Sequence, residues 1–382
     1  MVAPAAPITG PESRSATVQR IPAAARAAMI LQALPGLGPL RFRRLVDHFG
    51  SPGSALEANT SEFADLAGKR AAAARRGAVL AARADEMIAR CRDAVIGLLV
   101  YGTPGYPSSL KALRGPPSVL FFVGRSELLH GPCVAVVGSR RATAYGRRIA
   151  RRLGAHLAGT SRCVVSGMAM GIDAEAHRGA LPGPTAAVLG SGVDVVSPPR
   201  NASLYRRILE SGVVVSEYAP GVKAEPHHFP ARNRIIAALA TDVIIVEASN
   251  RSGALITADI ALDLGREVHA VPGPIDRPTS AGTNRLIVDG AGVIVDTGPG
   301  DAFPGATALP AEPDLRTLLL AVPPAPVTLE ELARVTKIPV EDVATSVTVL
   351  EIRGYLTPTR DGRVMRTPGR RGTDASQAGS GR

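Results

Sequence analysis

The spacing of apolar and polar residues divides this 382-residue chain into stretches of different texture. Residues 1–20 are rich in Ala, Pro and Ser, show no periodicity and are expected to form a disordered tail. Residues 21–95 follow a helical spacing, with Ala-rich stretches such as 71–82 that favour helix. From 96 to 297, short β-branched runs alternate with amphipathic stretches. The candidate strands are 119–123, 134–137, 164–166, 186–189, 213–216, 243–247 and 268–271. Runs that are apolar throughout suit strands buried on both faces, and intervening helices imply parallel pairing. The expected fold class is α/β, with a Rossmann-like doubly wound, mostly parallel sheet.

The flanks read differently. Residues 298–312 are rich in Pro, Gly and Ala and read as a linker. In 313–366, Thr328 and Glu331 form a capping box, a helix runs from 340 to 353 before Gly354, and a hairpin centres on Asp361-Gly362. That order predicts a winged-helix domain. Its second helix carries Glu341, Asp342 and Glu351, which repel phosphates, so it is expected to bind protein or fold back on the body. Residues 367–382 read as a basic disordered tail. Near the other end, Leu34-Pro35-Gly36-Leu37-Gly38 precedes Arg41, Arg43 and Arg44. Two readings stand: a helix-hairpin-helix (SAM-like) turn aiming amides at a phosphate, or a glycine-capped turn without a ligand.

Charge narrows the partners. Lys and Arg number 44 against 33 Asp and Glu, for a net +11. Such an excess attracts polyanions, nucleic acid above all, although an arginine-rich composition alone would also produce it. Cys91, Cys133 and Cys163 are too few and scattered for a disulfide framework or a zinc site. With no apolar run of about 18 residues and no signal-peptide core near the start, the expectation is a cytoplasmic protein without membrane contact. No cofactor or metal is expected.

The chemistry concentrates in loops after strands. Gly138-Ser139-Arg140-Arg141 follows one strand and opens a helix near Ala144. Free amides and the helix dipole attract an anion there, and arginine forms bidentate phosphate contacts. Gly167-Met168, with Gly171 and Asp173 shortly after, follows the next strand. A third small-residue loop, Leu189-Gly190-Ser191-Gly192, follows the third. The carboxyl edge of such a sheet is where ligands bind. Asp173 and His177, four apart, read better as a surface or N-terminal capping pair than as an acid–base or metal pair. His228-Phe229-Pro230 precedes Arg232-Asn233-Arg234 and a helix expected from Asn233. Phe229 reads as a base-stacking ring or as a core plug, and the arginines as phosphate contacts or partners of carboxylates. Ser252, Gly253 and Thr257 repeat the anion-binding pattern, and Asn284 starts another helix.

Taken in order, these motifs resemble the DNA-processing protein A family (DprA, also called Smf), over about residues 31–365. The resemblance implies a non-catalytic protein that binds and protects single-stranded DNA, loads the recombinase RecA during natural transformation, and dimerises through the Rossmann-like domain. It implies that Arg140 is the main phosphate contact and that Phe229, Arg232, Asn233 and Arg234 meet bases and backbone. Met170 departs from the arginine of many relatives. Glu225 stands where some carry a basic residue, leaving Lys223 to compensate. The competing reading is a nucleotide phosphoribohydrolase of the lysine-decarboxylase-like type. The loop at 252–258 lacks the glutamate of that signature.

Overall fold

The computed structural model describes residues 21–295, 312–323, 326–352, 355–359 and 362–366. The expected tails, the linker at 298–311, and Thr297, Arg353, Gly354 and Asp361 lie outside the described residues. The chain forms two compact units that meet in sequence at Ala291 and Gly292.

The first unit begins with α1 (Ala25–Gln32), α2 (Pro39–Phe49), α3 (Pro52–Glu57), α4 (Thr60–Ala67), α5 (Lys69–Ala74) and α6 (Ala78–Asp93). Their apolar stripes bury Leu31, Phe42, Leu45 and Phe63 in the same hydrophobic cluster as the sheet that follows. Tyr101 donates to the Asp47 carboxylate at 2.8 Å, and Arg90 to the Pro220 carbonyl at 3.1 Å. In the glycine turn between α1 and α2, Arg41 donates to the Gly36 carbonyl at 3.1 Å. Arg43 is taken up by Asp47 and the Leu113 carbonyl.

The sheet contains β1 (Gly97–Val100), β2 (Val119–Gly124), β3 (Cys133–Val137), β4 (Cys163–Ser166), β5 (Thr185–Val188), β6 (Val213–Ser216), β7 (Asp242–Ile245) and β8 (Glu267–Ala270). Between them lie α7 (Ala144–Gly159), α8 (Ile172–Ala180), α9 (Ala202–Ser211), α10 (His228–Leu239) and α11 (Gly253–Asp263), with α12 (Ala281–Val288) after β8. All seven expected strands are present. The pattern did not reveal β1, whose four residues hold a single β-branched side chain.

Strand order is β1-β2-β6-β5-β4-β3-β7-β8. The six strands from β6 to β8 are mutually parallel, while β1 and β2 join antiparallel. From β3 the chain steps outward through β4, β5 and β6, then returns to lay β7 on the other side of β3. The order reverses between β3 and β7, where Val137 pairs with Ile245. Loops there diverge to opposite faces and leave a crevice at the carboxyl ends.

After β9 (Gly292–Val293), the second unit holds α13 (Pro313–Ala321), α14 (Leu329–Thr336), α15 (Val340–Ile352), β10 (Leu356–Pro358) and β11 (Val364–Arg366). The Thr328–Glu331 capping box forms, and β10 pairs antiparallel with β11. Val327 bridges to Val364, adding a third strand position to the hairpin. Leu318, Leu332, Val343, Val347 and Leu350 form a separate core. No helix among the described residues is long and apolar enough to cross a membrane.

In the first unit, α7 and α8 pack backbone against backbone. A Cβ on Gly154 would collide with the Ala176 carbonyl, which a valine there could relieve only by pushing the helices apart. Gly154→Val is therefore expected to cost about 1–3 kcal/mol of stability, measured as a lower urea midpoint. An unchanged midpoint would show that this contact is not tight.

Candidate nucleic-acid interface

The loop after β3 is fixed through its backbone. A Cβ on Gly138 would press on Ile172 and the Glu247 carbonyl, at 2.7 and 2.8 Å. Gly171, with φ of +80°, brings the α8 turn against the backbone of Ser139 and Arg140. The Ser139 N–H donates to the Glu247 carbonyl at 2.7 Å, and its carbonyl accepts from the Ile172 N–H at 3.2 Å. Its hydroxyl accepts from the Arg141 N–H at 3.1 Å. With the main chain so occupied, Arg140 and Arg141 present exposed side chains.

The expected anion site at the start of α7 is corrected by the structure. Thr143 caps this helix by accepting from the Gly146 N–H at 3.1 Å. Buried Glu247, just past β7, accepts from the Thr143 N–H at 2.9 Å. An internal carboxylate therefore already complements the helix dipole. An external phosphate must be met by arginine side chains instead.

Beside this loop lies a cleft of about 410 Å³. Its walls include Gly138, Arg140, Ala169, Asp173, Pro226, Phe229, Arg232, Asn233, Ser252, Gly253 and Thr257. Three separately expected segments, after β3, at α10 and after β7, thus converge at the switch point. Ser252 caps α11, its hydroxyl accepting from the Ala254 N–H at 3.3 Å. Asn233 donates to the Gly253 carbonyl at 3.2 Å and so closes one side.

Helix α10 starts at His228, not at Asn233, because Pro230 is tolerated in a first turn whose amides need no helical partner. Phe229 therefore stands on a helix, half-buried against Gly190, not in a free loop. The Arg140 guanidinium lies over its ring, 4.5 Å from the centroid. This cation–π contact joins the two residues expected to act separately.

Beneath them, Asp173 accepts from the Gly167 N–H at 3.1 Å and the Ala169 N–H at 3.4 Å. Burial pushes its carboxyl up, while Arg232, the two amides and Arg140 pull it down. Arg232 is buried and donates to the Val188 carbonyl. Burial lowers it to about 10, against the pull of Asp173, so it remains a cation at neutral pH. Asp173 and His177 are accordingly not a surface pair. Both face inward, and His177 Nδ1 lies 2.7 Å from the Thr185 hydroxyl. Burial, then Arg232, depress His177 to about 3.

Other expected site residues have structural duties. Arg234 forms a paired contact with both Glu217 oxygens, at 2.6 and 2.7 Å, and donates to the Gly115 carbonyl. Met168 is buried in the core. His228 is buried, with Nδ1 at 3.0 Å from the Gly190 carbonyl and its ring stacked on Tyr218. Asn284 clasps the Gly273 backbone through both amide atoms. Gly167 faces the Arg232 guanidinium from behind the cleft wall. Lys223 is exposed but does not line the cleft. The sequence reading missed the roles of Glu247 and of Asp173 as an organiser. Glu247 directly follows β7 and Asp173 sits in the first turn of α8, the only signals for them.

The family model described as DNA recombination-mediator protein A matches residues 97–299. The chain is 35% identical over 302 residues to Protein Smf of Synechocystis, covering 66% of this chain and 76% of that protein. To Protein Smf of Escherichia coli it is 44% identical over 194 residues, 50% and 52% of the two lengths. The crystal structure of DNA processing protein A from Streptococcus pneumoniae superposes with a TM-score of 0.62 at 32% identity, over 71% of this chain and 93% of that one. DNA processing protein A from Helicobacter pylori, whose structure describes a single-stranded DNA binding mode, gives 0.50 at 31% identity, over 53% and 92%.

His177 yields a pH prediction. In the unfolded chain the imidazole takes up a proton near 6.5, but in the fold only near 3. Stability is thus fully present above pH 6.5 and falls as pH drops toward 3. The loss by pH 4 is on the order of 3 kcal/mol. Urea midpoints at pH 7 and pH 4 should therefore separate more in the wild type than in His177→Gln. An equal separation would contradict the burial of a neutral imidazole.

Proposed function

This chain belongs to the DNA recombination-mediator protein A family, and on that premise we propose that it binds single-stranded DNA in the switch-point cleft. It does so without regard to sequence, by binding and not by catalysis. It acts in the cytoplasm, protects incoming strands and passes them to a RecA-type recombinase during natural transformation. It works as a homodimer through the Rossmann-like domain.

The observation that carries this reading is the Arg140 guanidinium on the Phe229 ring, at the mouth of a cleft where three loops meet. Phosphodiester oxygens are met by Arg140 and Arg141, with Arg232 supplying a fixed positive charge behind them. Asn233, Ser252 and Thr257 offer hydrogen bonds along the wall. An unpaired base stacks on the Phe229–Arg140 pair, either over the guanidinium plane or on the ring after the guanidinium swings to a phosphate. Stacking needs an unpaired base, so single strands are preferred over duplex.

Titration of labelled single- and double-stranded oligonucleotides at two salt concentrations tests this. Single strands are expected to bind more tightly, with affinity falling steeply as salt rises. Phe229→Ala is expected to lose about 1–3 kcal/mol of binding, and Arg140→Ala to weaken binding and flatten the salt dependence, both in folded protein. Wild-type affinity in both variants would refute the cleft as the site.

A further inference from the structure

Helix α7 leaves the cleft with its first turn next to Arg140 and Arg141. Its inner stripe of Gly146, Ala150, Leu153 and Leu157 is buried against the body. Its outer side carries Arg147, Arg148, Arg151 and Arg152, two pairs one helical turn apart, all exposed. These four line a shallow cavity of about 350 Å³ whose one acidic residue is Glu175. Glu175 is already shared between Arg151 at 2.8 Å and Arg178 at 2.7 Å. Among the described residues, no salt bridge reaches Arg147, Arg148 or Arg152.

Arg151 holds Glu175 and Arg147 donates to the Ala142 carbonyl, but clustering four arginines here gives the fold no further hydrogen bond or salt bridge among the described residues. Arginines in the first turns oppose the helix dipole, and like charges four apart repel. The first turn carries no acidic residue of its own, and Glu247, which caps it from just past β7, lies on the buried side, away from these arginines. A solvated face would serve as well with carboxylates interspersed, as on the exposed Arg285–Asp289 pair of α12. The ridge also begins with an aromatic. Tyr145 is 40% exposed, its hydroxyl donates to the Pro272 carbonyl at 3.3 Å, and the Arg148 guanidinium lies 5.6 Å from its ring. A cation over an aromatic ring, the arrangement of Arg140 on Phe229, thus recurs one step beyond the cleft. Positive charge interleaved with a stacking ring is what a single polynucleotide strand requires.

We propose that α7 is a second binding segment for single-stranded polynucleotide. A strand held in the cleft continues past Tyr145 and along the arginine ridge, which grips its phosphates. The proposal rests on the cleft reading and adds length to the bound strand. It predicts that affinity rises with oligonucleotide length beyond what the cleft alone accommodates.

The test compares wild type with Arg148→Ala/Arg152→Ala, and with the Lys pair at the same positions. Anisotropy is read with oligothymidylates of about 5 and about 15 nucleotides, within the range of such sites. The alanine variant should lose most of the affinity gained on lengthening. Its log–log salt slope on the longer strand should fall by about 1.4, two phosphate contacts' worth. The lysine variant should restore both, and circular dichroism should be unchanged. If the alanine variant keeps the full length gain and slope while the wild type binds the short strand, the ridge proposal is overturned and the cleft reading stands. If the wild type binds neither strand, both fall.

Discussion

A carboxyl group can be buried only where donors surround it. At the base of this cleft the Asp173 carboxyl meets the Gly167 and Ala169 amides, with the Arg232 guanidinium acting on it from α10. The amide bonds tie the loop after β4 to the start of α8, and Arg232 on α10, bonded to the Val188 carbonyl, places its charge near the same carboxyl. The loops around the crevice are therefore held by a polar knot beneath them, not only by apolar packing. For the strand proposed to bind here, a preorganised groove would leave less ordering cost to meet on binding.

The same economy appears at the helix ends. Glu247 occupies the N-terminus of α7, where an anion from outside would otherwise settle. In the proposed site, binding would then fall to side chains that reach outward, Arg140 first among them. Since its guanidinium rests on Phe229, one residue pair supplies both a charge and a flat surface. Charge without a base-specific hydrogen-bond pattern suits the sequence-independent binding proposed for it.

Much of the fold is legible in the chain because the parallel strands are dense in Val, Ile and Ala. The strand β1 escapes notice because Gly97-Leu98-Leu99-Val100 lacks that density and follows an Ala-rich helix. The start of α10 is misread because Pro230 looks like a helix breaker, yet a proline is harmless in a first turn. The convergence of Gly138, Arg140, Ser252 and Thr257 is readable from their shared position after strands, and Phe229 stands out as an aromatic in a polar, proline-flanked segment. The fates of Arg234 and Glu247 are not readable in this way. Glu217 lies 17 residues from Arg234, and Glu247 lies 104 from Thr143, so only the folded topology brings them together. Adjacent arginines that look alike in sequence thus divide into a wall of the cleft, Arg232, and a structural clamp, Arg234.

The central claim is that a single strand lies in the switch-point cleft. Hydrogen exchange of the whole chain, with and without saturating oligothymidylate, tests it most directly. Slowed exchange concentrated in residues 138–143, 226–234 and 249–254 is the predicted result. Protection confined to the helical segment 21–95 or to the second unit, with those three loops unchanged, would contradict it.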